Sequence, residues 1–481
     1  MSGTELKSGP GLAQLGLSLK ELAQMAQLTG AEGLKNSQLK VKAVSTDSRL
    51  AGPGTLFVAL KGPNFDGRDF VSQAIAKGAL AAVVEKGEEL KVDKSLIIET
   101  SCSLEALGLM ARAVRDLVKP TVVAVTGSVG KTTVKELLRS IVSLGGQDSL
   151  IAAGNFNNQV GLPLTLLGLS PTTRLAVLEM GANRMGEIEA LTRTAKPNVG
   201  LITAVGRAHL EGFGTVENVA KAKSEILEGL ERDDYAVYNS NEELLKPYIN
   251  NFKGLKMTFG EAGSGADVVL TKAVDLGLMG QRISLIGPGL KKPVSLVLKL
   301  HGRHNALNAA AAAAAGLAAG FDWEILTLGL SLAEPVEGRF KPKLSNRGLG
   351  IIDDSYNANP TSVAAALRCL AALDPLAPKA AILGDMLELG EEAQNLHIRI
   401  GRLAVKIGLD YLALVGPLSH FTAQGAAAAG LNARRLKNFS NPEEAAFWIV
   451  ETAPKGSLVL VKGSRSVGLE KAVEYFFKIN V

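Results

Sequence analysis

Short apolar runs alternate with longer stretches of helical periodicity along the chain, and the first block of this pattern predicts a small α/β unit. The apolar runs have the length of buried strands, and the longer stretches have the spacing of amphipathic helices. The predicted strands are residues 43–45, 56–60, 81–84 and 96–98, and the predicted helices are residues 19–27, 69–77 and 104–118. Lys119 and Pro120 then interrupt the pattern, because the residue before a proline disfavours helix. We therefore predict a smaller N-terminal α/β domain at residues 1–118.

Two further blocks repeat strand and helix more regularly. The predicted strands of the second block begin at residue 121 and continue at 175–179, 199–203 and 236–238, with an antiparallel group at 268–270, 281–285 and 294–298. Those of the third block are residues 350–353, 379–383, 411–415 and 458–461. Such alternation is typical of mostly parallel sheets covered by helices on both faces. We predict a central domain at residues 119–334 and a C-terminal Rossmann-like, doubly wound domain at residues 335–481.

A glycine-bearing turn follows the first strand of the second block, where residues 122–133 read VVAVTGSVGKTT. Small residues let backbone N–H groups approach phosphate oxygens, Lys131 supplies a positive charge, and the Thr132 hydroxyl is a suitable magnesium ligand. The strict pattern G-x-x-x-x-G-K-[ST] requires glycine at the position of Val125, so a solvated loop remains the alternative. The predicted nucleotide-binding residues are Thr126, Gly127, Ser128, Val129, Gly130, Lys131, Thr132 and Thr133.

Polar residues that follow other strands are the next candidates, because ligands of open α/β sheets bind beyond the carboxyl ends of strands. Glu179 is a candidate magnesium ligand and His209 lies beyond another strand; the alternatives are a capping carboxylate and a surface histidine. The Asn-rich segment 154–163 carries more hydrogen-bonding groups than a turn needs. Asp353 and Asp354 end a third strand, where one carboxylate suits a ribose hydroxyl.

Composition excludes several classes of protein. Hydrophobic residues at 47% and charged residues at 21% of 481 residues are typical of a folded chain, and a net charge of +5 without clustered Lys and Arg predicts no nucleic-acid surface. Cys102 and Cys369 lack a zinc spacing, which favours a reducing compartment. We find no apolar stretch of membrane-spanning length and no leader pattern, so a cytoplasmic protein is expected, and a monomer. The Ala-rich run 306–319 is predicted to be a buried helix.

Eight motifs, in this order, resemble those of the ATP-dependent Mur ligases, a family that builds the peptide of bacterial cell-wall precursors. The resemblance covers nearly the whole chain. The motifs are STDSR at 45–49, NFNN at 155–158, EMGAN at 179–183, AHLEGFG at 208–214, GRHN at 302–305, DSYNANP at 354–360, GDMLELG at 384–390 and VKGSR at 461–465.

The resemblance implies a three-domain enzyme whose central domain is a P-loop ATPase. Its implied cofactors are ATP and two Mg²⁺ ions, and its implied substrates are UDP-N-acetylmuramoyl-tripeptide and D-alanyl-D-alanine, joined through an acyl phosphate. Arg339 and Asp354 lie in the third block, so if both touch ATP the C-terminal domain must close over the central one.

Specific roles are also implied by motif position. The implied catalytic residues are Lys131, His209, Lys223 and Arg339. The implied ATP contacts beyond the phosphate loop are Asn305, Arg339 and Asp354, and the implied metal ligands are Thr132, Glu179, His209 and Lys223, with Lys223 carbamylated. The implied substrate-binding residues are Ser45, Asp47, Ser48, Arg49, Asn157, Asn158, Tyr356 and Asn359. Ser224 replaces a glycine common in the family and Lys221 is close by, so a solvated helix face is the alternative for either lysine.

Two alternatives to this ligase remain, and a dehydrogenase is excluded. A different Mur-type or folylpolyglutamate-type ligase would share the ATP residues, but the segment SYNANP at 355–360 argues against it. A nucleotide-binding switch without ligation would need only the phosphate loop. A dehydrogenase would need a G-x-G-x-x-G turn after the strand at 351–353, and none is present.

Overall fold

Within the described part of the chain, three large sheets follow one another and organise the protein as three α/β domains. The computed structural model describes residues 8–29, 33–62, 65–87 and 90–478. The elements of the first domain are α1 (Gly11–Leu15), α2 (Leu19–Met25), β1 (Ala43–Ser45), β2 (Thr55–Val58), β3 (Lys61–Gly62), β4 (Phe65–Asp66), α3 (Val71–Ala76), β5 (Ala81–Glu85), β6 (Ile97–Thr100) and α4 (Ser103–Val118). Four of its strands form a parallel sheet in the order β1-β2-β5-β6, and β3 and β4 pair separately as antiparallel strands.

The second domain has a nine-stranded sheet in the order β15-β14-β13-β12-β11-β10-β7-β9-β8. Its elements are β7 (Thr121–Thr126), α5 (Lys131–Leu144), β8 (Ser149–Ile151), α6 (Gly161–Leu166), β9 (Leu175–Glu179), α7 (Glu187–Ala195), β10 (Val199–Ile202), α8 (Leu210–Phe213), α9 (Val216–Ser224), β11 (Tyr235–Asn239), α10 (Lys246–Asn251), β12 (Leu255–Glu261), β13 (Val268–Asp275), β14 (Gln281–Ile286), β15 (Val294–Leu298), α11 (Arg303–Ala318) and α12 (Trp323–Leu332). The strands from β8 to β13 are parallel, and β14 and β15 add an antiparallel edge.

The register of the central strands decides where the site forms. β7 lies between β9 and β10 and is parallel to both, so the segments that follow all three strands emerge at one edge of the sheet. The Ala-rich helix α11 packs against α5 and this sheet with Ala309–Ala315 fully buried, because methyl side chains allow a close approach. The helix predicted at 306–319 is therefore confirmed, and its amino end lies beside the phosphate loop.

The third domain has a six-stranded sheet in the order β16-β17-β21-β18-β19-β20, with β16 antiparallel and the other strands parallel. Its elements are β16 (Lys341–Leu344), β17 (Gly350–Asp353), α13 (Pro360–Leu373), β18 (Lys379–Gly384), α14 (Ala393–Lys406), β19 (Tyr411–Val415), α15 (Ser419–Ala428), β20 (Leu436–Phe439), α16 (Pro442–Thr452), β21 (Leu458–Lys462) and α17 (Glu470–Lys478). Apolar clusters cover both faces. The strand order reverses around β17, β21 and β18, which is the usual ligand crevice of such a sheet.

The predicted fold class is confirmed, with differences at the weaker elements. The sequence pattern did not predict strands β8, β12, β16 and β20. Three of them, β8, β16 and β20, are half-exposed edge strands without a continuous apolar run. The helix predicted at 69–77 is a 3₁₀ turn at Gly67–Phe70 followed by α3. Both cysteines are free, and within the described ranges we find no helix with the length and apolarity needed to span a membrane.

Candidate active site

A cavity of about 740 Å³ opens between the second and third domains, and it gathers most of the predicted site residues. The second domain contributes the end of the phosphate loop, the segment after β9 and the start of α11, and the third domain faces it with the segments after β17 and β18. The predicted residues that line the cavity are Ser128, Val129, Gly130, Lys131, Thr132, Thr133, Asn157, Asn158, Glu179, His209, Asn305, Arg339, Asp354, Tyr356 and Asn359.

Glycine conformation and internal hydrogen bonds define the shape of the phosphate loop. Gly130 has φ of 89°, and a Cβ atom there would lie 2.6 Å from Oδ1 of Asn308, so glycine is required. The Thr203 hydroxyl donates to the Val129 carbonyl at 2.6 Å, and Nζ of Lys131 donates to the Gly127 carbonyl at 2.7 Å. Burial lowers the pKa of Lys131, and Arg339 lowers it further, although Glu179 opposes the shift. The loop therefore presents a cation at the amino end of α5, where an anion is favoured.

Two predicted nucleotide residues do not reach the cavity lining. The Thr126 side chain is fully buried, and its hydroxyl donates to the Met180 carbonyl at 2.9 Å. Gly127 turns the chain with φ of 139°, and a Cβ atom there would lie 2.1 Å from Oγ1 of Thr203. Val125, which occupies the glycine position of the strict motif, is a buried residue of β7 paired with Glu179. The turn thus begins two residues later than that motif expects.

One carboxylate oxygen of Glu179 is buried without a hydrogen bond. It ends β9 at 3% exposure, and its Oε1 accepts a hydrogen bond of 2.9 Å from Nδ2 of Asn157. Its Oε2 is buried without a hydrogen-bond partner. Lys135, a fully buried residue of α5, places its Nζ 4.0 Å from this oxygen and 3.0 Å from the Gly154 carbonyl. No local sequence pattern indicated a role for Lys135, because a lysine within a helix usually points to solvent.

The arrangement of Glu179 and Thr132 fits a magnesium ion. A buried carboxylate oxygen without a hydrogen bond raises the free energy of the folded state unless a cation or donor approaches it. Hydroxyl and carboxylate oxygens are the ligands that Mg²⁺ prefers. Among the described residues no group of three or more His, Cys, Asp or Glu could hold a metal. At nucleotide sites, phosphate and water oxygens usually complete the coordination of Mg²⁺.

The two candidate lysines of α9 differ sharply. Lys221 is exposed, whereas Lys223 is 1% exposed, with its Nζ 3.5 Å from the Ala182 carbonyl and 5.4 Å from the centre of the Phe213 ring. Burial, together with the charge of Lys131, lowers the pKa of Lys223 to about 7. A large fraction of this amine is therefore uncharged near neutral pH, which makes it nucleophilic.

Arg339 crosses from the third domain to the phosphate loop. Its Nη2 donates to Oγ1 of Thr132 at 3.2 Å, and its guanidinium carbon lies 4.2 Å from the centre of the Tyr356 ring. In the same domain, Asp354 forms an ion pair of 2.7 Å with Lys462, which also donates to the Asn357 carbonyl at 2.9 Å. Arg339 therefore reaches the phosphate loop, and Asp354 lines the same cavity beside Lys462.

A second group of contacts joins the same two domains near His209. Nδ1 of His209 contacts the Glu388 carboxylate, and the Arg207 guanidinium pairs with Glu392. The Glu211 N–H donates to the Glu388 carbonyl at 3.2 Å. Burial lowers the pKa of His209, although Glu388 opposes the shift.

Three residues of the cavity lining have left-handed backbone. His209, Phe340 and Glu388 line the cavity and have φ of 53°, 55° and 60°, although none is glycine. Such left-handed residues cost free energy and tend to cluster at functional sites. The surrounding contacts hold these three residues in place.

Most amide side chains at the site form hydrogen bonds within the protein. Asn305 donates to the His301 carbonyl at 2.9 Å and accepts from Asn308 at 3.0 Å, so the pair is oriented at the start of α11. Oδ1 of Asn158 accepts from the Gly161 N–H at 2.8 Å, and Asn359 caps α13 through the Ser362 N–H at 2.8 Å. These amides position loops and retain free groups for a ligand.

Comparison with known proteins identifies the family. Profiles described as Mur ligase family, catalytic domain; Mur ligase middle domain; and Mur ligase, glutamate ligase domain match residues 40–115, 125–316 and 338–465. The UDP-N-acetylmuramoyl-tripeptide–D-alanyl-D-alanine ligase of Escherichia coli (strain K12) is 36% identical over 453 residues, covering 94% of this chain and 97% of the relative. The chain belongs to the Mur ligase family.

Solved Mur ligase structures resemble the whole molecule. A crystal structure of MurF from Acinetobacter baumannii has a TM-score of 0.86 and 32% identity, covering 95% of this chain and 98% of the other. A MurF ligase from Thermotoga maritima in complex with ADP has a TM-score of 0.80 and 29% identity, covering 90% and 96%. The three-domain arrangement is therefore shared with MurF structures.

The N-terminal motif of this Mur ligase lies outside the cavity lining. Asp47 accepts from the Arg49 N–H at 2.9 Å and pairs with the Arg49 guanidinium at 2.6 Å. Oγ of Ser45 donates to the Asp47 carbonyl at 3.0 Å, and the Ser48 hydroxyl donates to Gln73 at 2.6 Å. The motif thus forms a tight turn after β1, and the structure does not bring it to the phosphate loop.

Several Mur ligase residues in the cavity had no predicted role. Glu388 and Lys462 lay within motifs that carried the resemblance, but no local pattern assigns them a partner. His304 lines the cavity, and burial together with the charge of Lys462 lowers its pKa to about 4. It is therefore neutral at physiological pH and can accept as well as donate hydrogen bonds.

Proposed function

We propose that this Mur ligase adds D-alanyl-D-alanine to UDP-N-acetylmuramoyl-tripeptide with ATP, releasing ADP and phosphate, in bacterial peptidoglycan precursor synthesis. The observation that carries the proposal is the contact between Arg339 and Thr132, which puts a guanidinium from the third domain beside the phosphate loop. Full-length similarity to ligases named for this reaction supports the choice of substrates.

The cavity suits ATP in one orientation. Lys131 and the N–H groups at the amino end of α5 would hold the phosphates, and Asn305 at the start of α11 would lie near the adenine. Asp354 would accept a hydrogen bond from the ribose. ATP use is also supported by the ADP bound to the Thermotoga maritima relative.

The reaction proceeds in two steps. A carboxylate oxygen of the tripeptide attacks the γ-phosphorus and ADP leaves, which gives an acyl phosphate. The amine of D-alanyl-D-alanine then attacks that carbonyl, phosphate leaves and the amine loses a proton. Both reacting groups are anionic in the first step, so Lys131 and Arg339 lower the barrier by stabilising charge.

Two magnesium ions complete the proposed site. Thr132 and Glu179 would hold one ion, and His209 with a carbamylated Lys223 would hold the other. Magnesium neutralises phosphate charge in such reactions. The low pKa of Lys223 supports the carbamate, because only an uncharged amine adds to carbon dioxide.

The domains divide the substrates between them. We assign residues 1–118 to the UDP end of the precursor, through Ser45, Asp47, Ser48 and Arg49, residues 119–334 to ATP, and residues 335–481 to the incoming dipeptide. Asn157, Asn158, Tyr356 and Asn359 would face the peptide part of the precursor. The protein is proposed to act in the cytoplasm as a monomer.

Phosphate release from ATP, with each peptide substrate omitted in turn, tests the proposal. We expect release only when both substrates are present, together with a product of pentapeptide mass. Lys131→Ala serves as the inactive control. Release that ignores both peptides, or product with a different amine only, would reject the assigned reaction.

A further inference from the structure

The incoming dipeptide must be held at both ends, and this requirement rests on the proposed function. Its amine has to reach the reacting carbonyl at the phosphate end of the cavity. An extended dipeptide spans about 7 Å, so its carboxylate lies roughly that far from the reaction. A buried or half-buried carboxylate needs a cation with free hydrogen-bond donors.

The cations in the cavity lining are already engaged. Lys131 donates to the Gly127 carbonyl within the phosphate loop, and Arg339 donates to the Thr132 hydroxyl. Lys462 is buried between Asp354 and the Asn357 carbonyl. Each of these three already donates to a partner inside the cavity, whereas a residue at the rim can approach the dipeptide carboxylate without breaking such a contact.

Arg465 lies at that rim. It follows β21, the strand at the point where the strand order of the third sheet reverses. Its guanidinium carbon is 5.6 Å from the centre of the Tyr356 ring, the same ring that Arg339 contacts at 4.2 Å. The preceding residue, Ser464, is 3.4 Å from the carbonyl of Ala358, which lines the cavity.

The donors of Arg465 are not satisfied by its ion pair. Its Nη1 lies 3.7 Å from Oε2 of Glu470, which is beyond hydrogen-bond distance, and that oxygen is buried without a hydrogen-bond partner. The Arg465 side chain is 57% exposed. A guanidinium presents a planar fork of N–H donors that matches a carboxylate. Arg465 can therefore donate two parallel hydrogen bonds to one carboxylate.

We infer that Arg465 binds the C-terminal carboxylate of D-alanyl-D-alanine, close to the Tyr356 ring that Arg339 also contacts. The anchor places the amine of a two-residue substrate at the acyl phosphate, whereas the amine of a single D-alanine held by Arg465 would fall short. Arg465 is thus a specificity-determining residue for the second substrate.

Comparing the free acid with the amide of the dipeptide tests this assignment. Ligation is measured with D-alanyl-D-alanine and with D-alanyl-D-alaninamide, for the wild type, Arg465→Gln and Arg465→Lys. Arg434→Gln is the matched control, because Arg434 is exposed before the edge strand β20 of the same sheet, whereas Arg465 follows the interior strand β21. KM for ATP and for the UDP-tripeptide is measured for every variant.

We expect Arg465→Gln to raise KM for the free acid about 30-fold while its use of the amide matches that of the wild type. Arg465→Lys should recover part of the loss, and KM for the other two substrates should change less than about twofold. If the wild type ligates and Arg465→Gln keeps the same preference for the free acid over the amide, the role of Arg465 is overturned and the proposed function stands. A wild type that ligates neither compound would instead reject the proposed function and this inference with it.

Discussion

Replacing Lys223 with methionine should stabilise the protein while abolishing its activity. The side chain is 1% exposed, and its Nζ donates a long hydrogen bond of 3.5 Å to the Ala182 carbonyl. The ammonium is therefore desolvated with little compensation. Methionine has a similar length and no charge, so it fills the same space without that cost.

The size of the effect follows from the pKa of Lys223, which burial lowers from 10.5 to about 7. Near pH 7, Lys223 is fully charged in the unfolded chain. Its lower pKa in the folded state corresponds to about 4 kcal/mol of free energy that opposes folding. Relaxation of the surrounding structure and loss of the contact with Phe213 make this value an upper bound. We expect Lys223→Met to raise the free energy of unfolding by about 2 kcal/mol, or Tm by roughly 5 °C.

The pH dependence has a definite sign. Because the folded pKa lies below the unfolded one, the penalty on the wild type is complete below about pH 7 and disappears as pH rises to 10.5. The advantage of Lys223→Met should therefore be largest at or below pH 7 and small near pH 10.

Differential scanning calorimetry in magnesium-free buffer depleted of carbon dioxide provides the assay. Lys221→Met is the control, because Lys221 is exposed on the same helix and its replacement should leave Tm unchanged at every pH. An equal or lower Tm for Lys223→Met near pH 7, or a gain that does not vary with pH, would refute the desolvation argument.

Three further predictions concern the cavity. Lys131→Ala should lower kcat at least about 1,000-fold in a phosphate-release assay, because no other group takes its place in the loop; near-normal turnover would contradict this. Glu179→Gln should raise the magnesium concentration for half-maximal rate about tenfold, since it removes the charge but keeps the shape, and an unchanged magnesium titration would remove Glu179 from the metal site. Arg207→Gln breaks an exposed pair with Glu392, so it should lower the rate only two- to fivefold at low salt and flatten the ionic-strength profile; an unaltered profile would mean the pair does not aid closure.

Features that depend on local sequence were predictable. The phosphate loop, the strands around it and the buried Ala-rich helix follow from apolar runs, glycine positions and length. β16 was not predicted because it contains Pro342. It pairs only at an edge of the sheet, where proline is tolerated. β8 and β20 are likewise edge strands, so packing on the neighbouring strand rather than their own pattern makes them strands.

Contacts between domains could not be predicted from spacing. Arg339 and Thr132 are 207 residues apart, and His209 and Glu388 are 179 apart, so only the folded chain brings each pair together. The family resemblance pointed to Arg339 but left Glu388 and Lys135 without a role. The burial of Lys223 against the exposure of Lys221 likewise required the structure.

Labelling the terminal carboxylate of the UDP-tripeptide with ¹⁸O tests the central claim most directly. If the cavity between the second and third domains makes an acyl phosphate, one labelled oxygen should appear in the released phosphate, with ADP as the nucleotide product and the dipeptide attached to the precursor. Release of AMP carrying the label, or phosphate without label, would contradict the proposed chemistry.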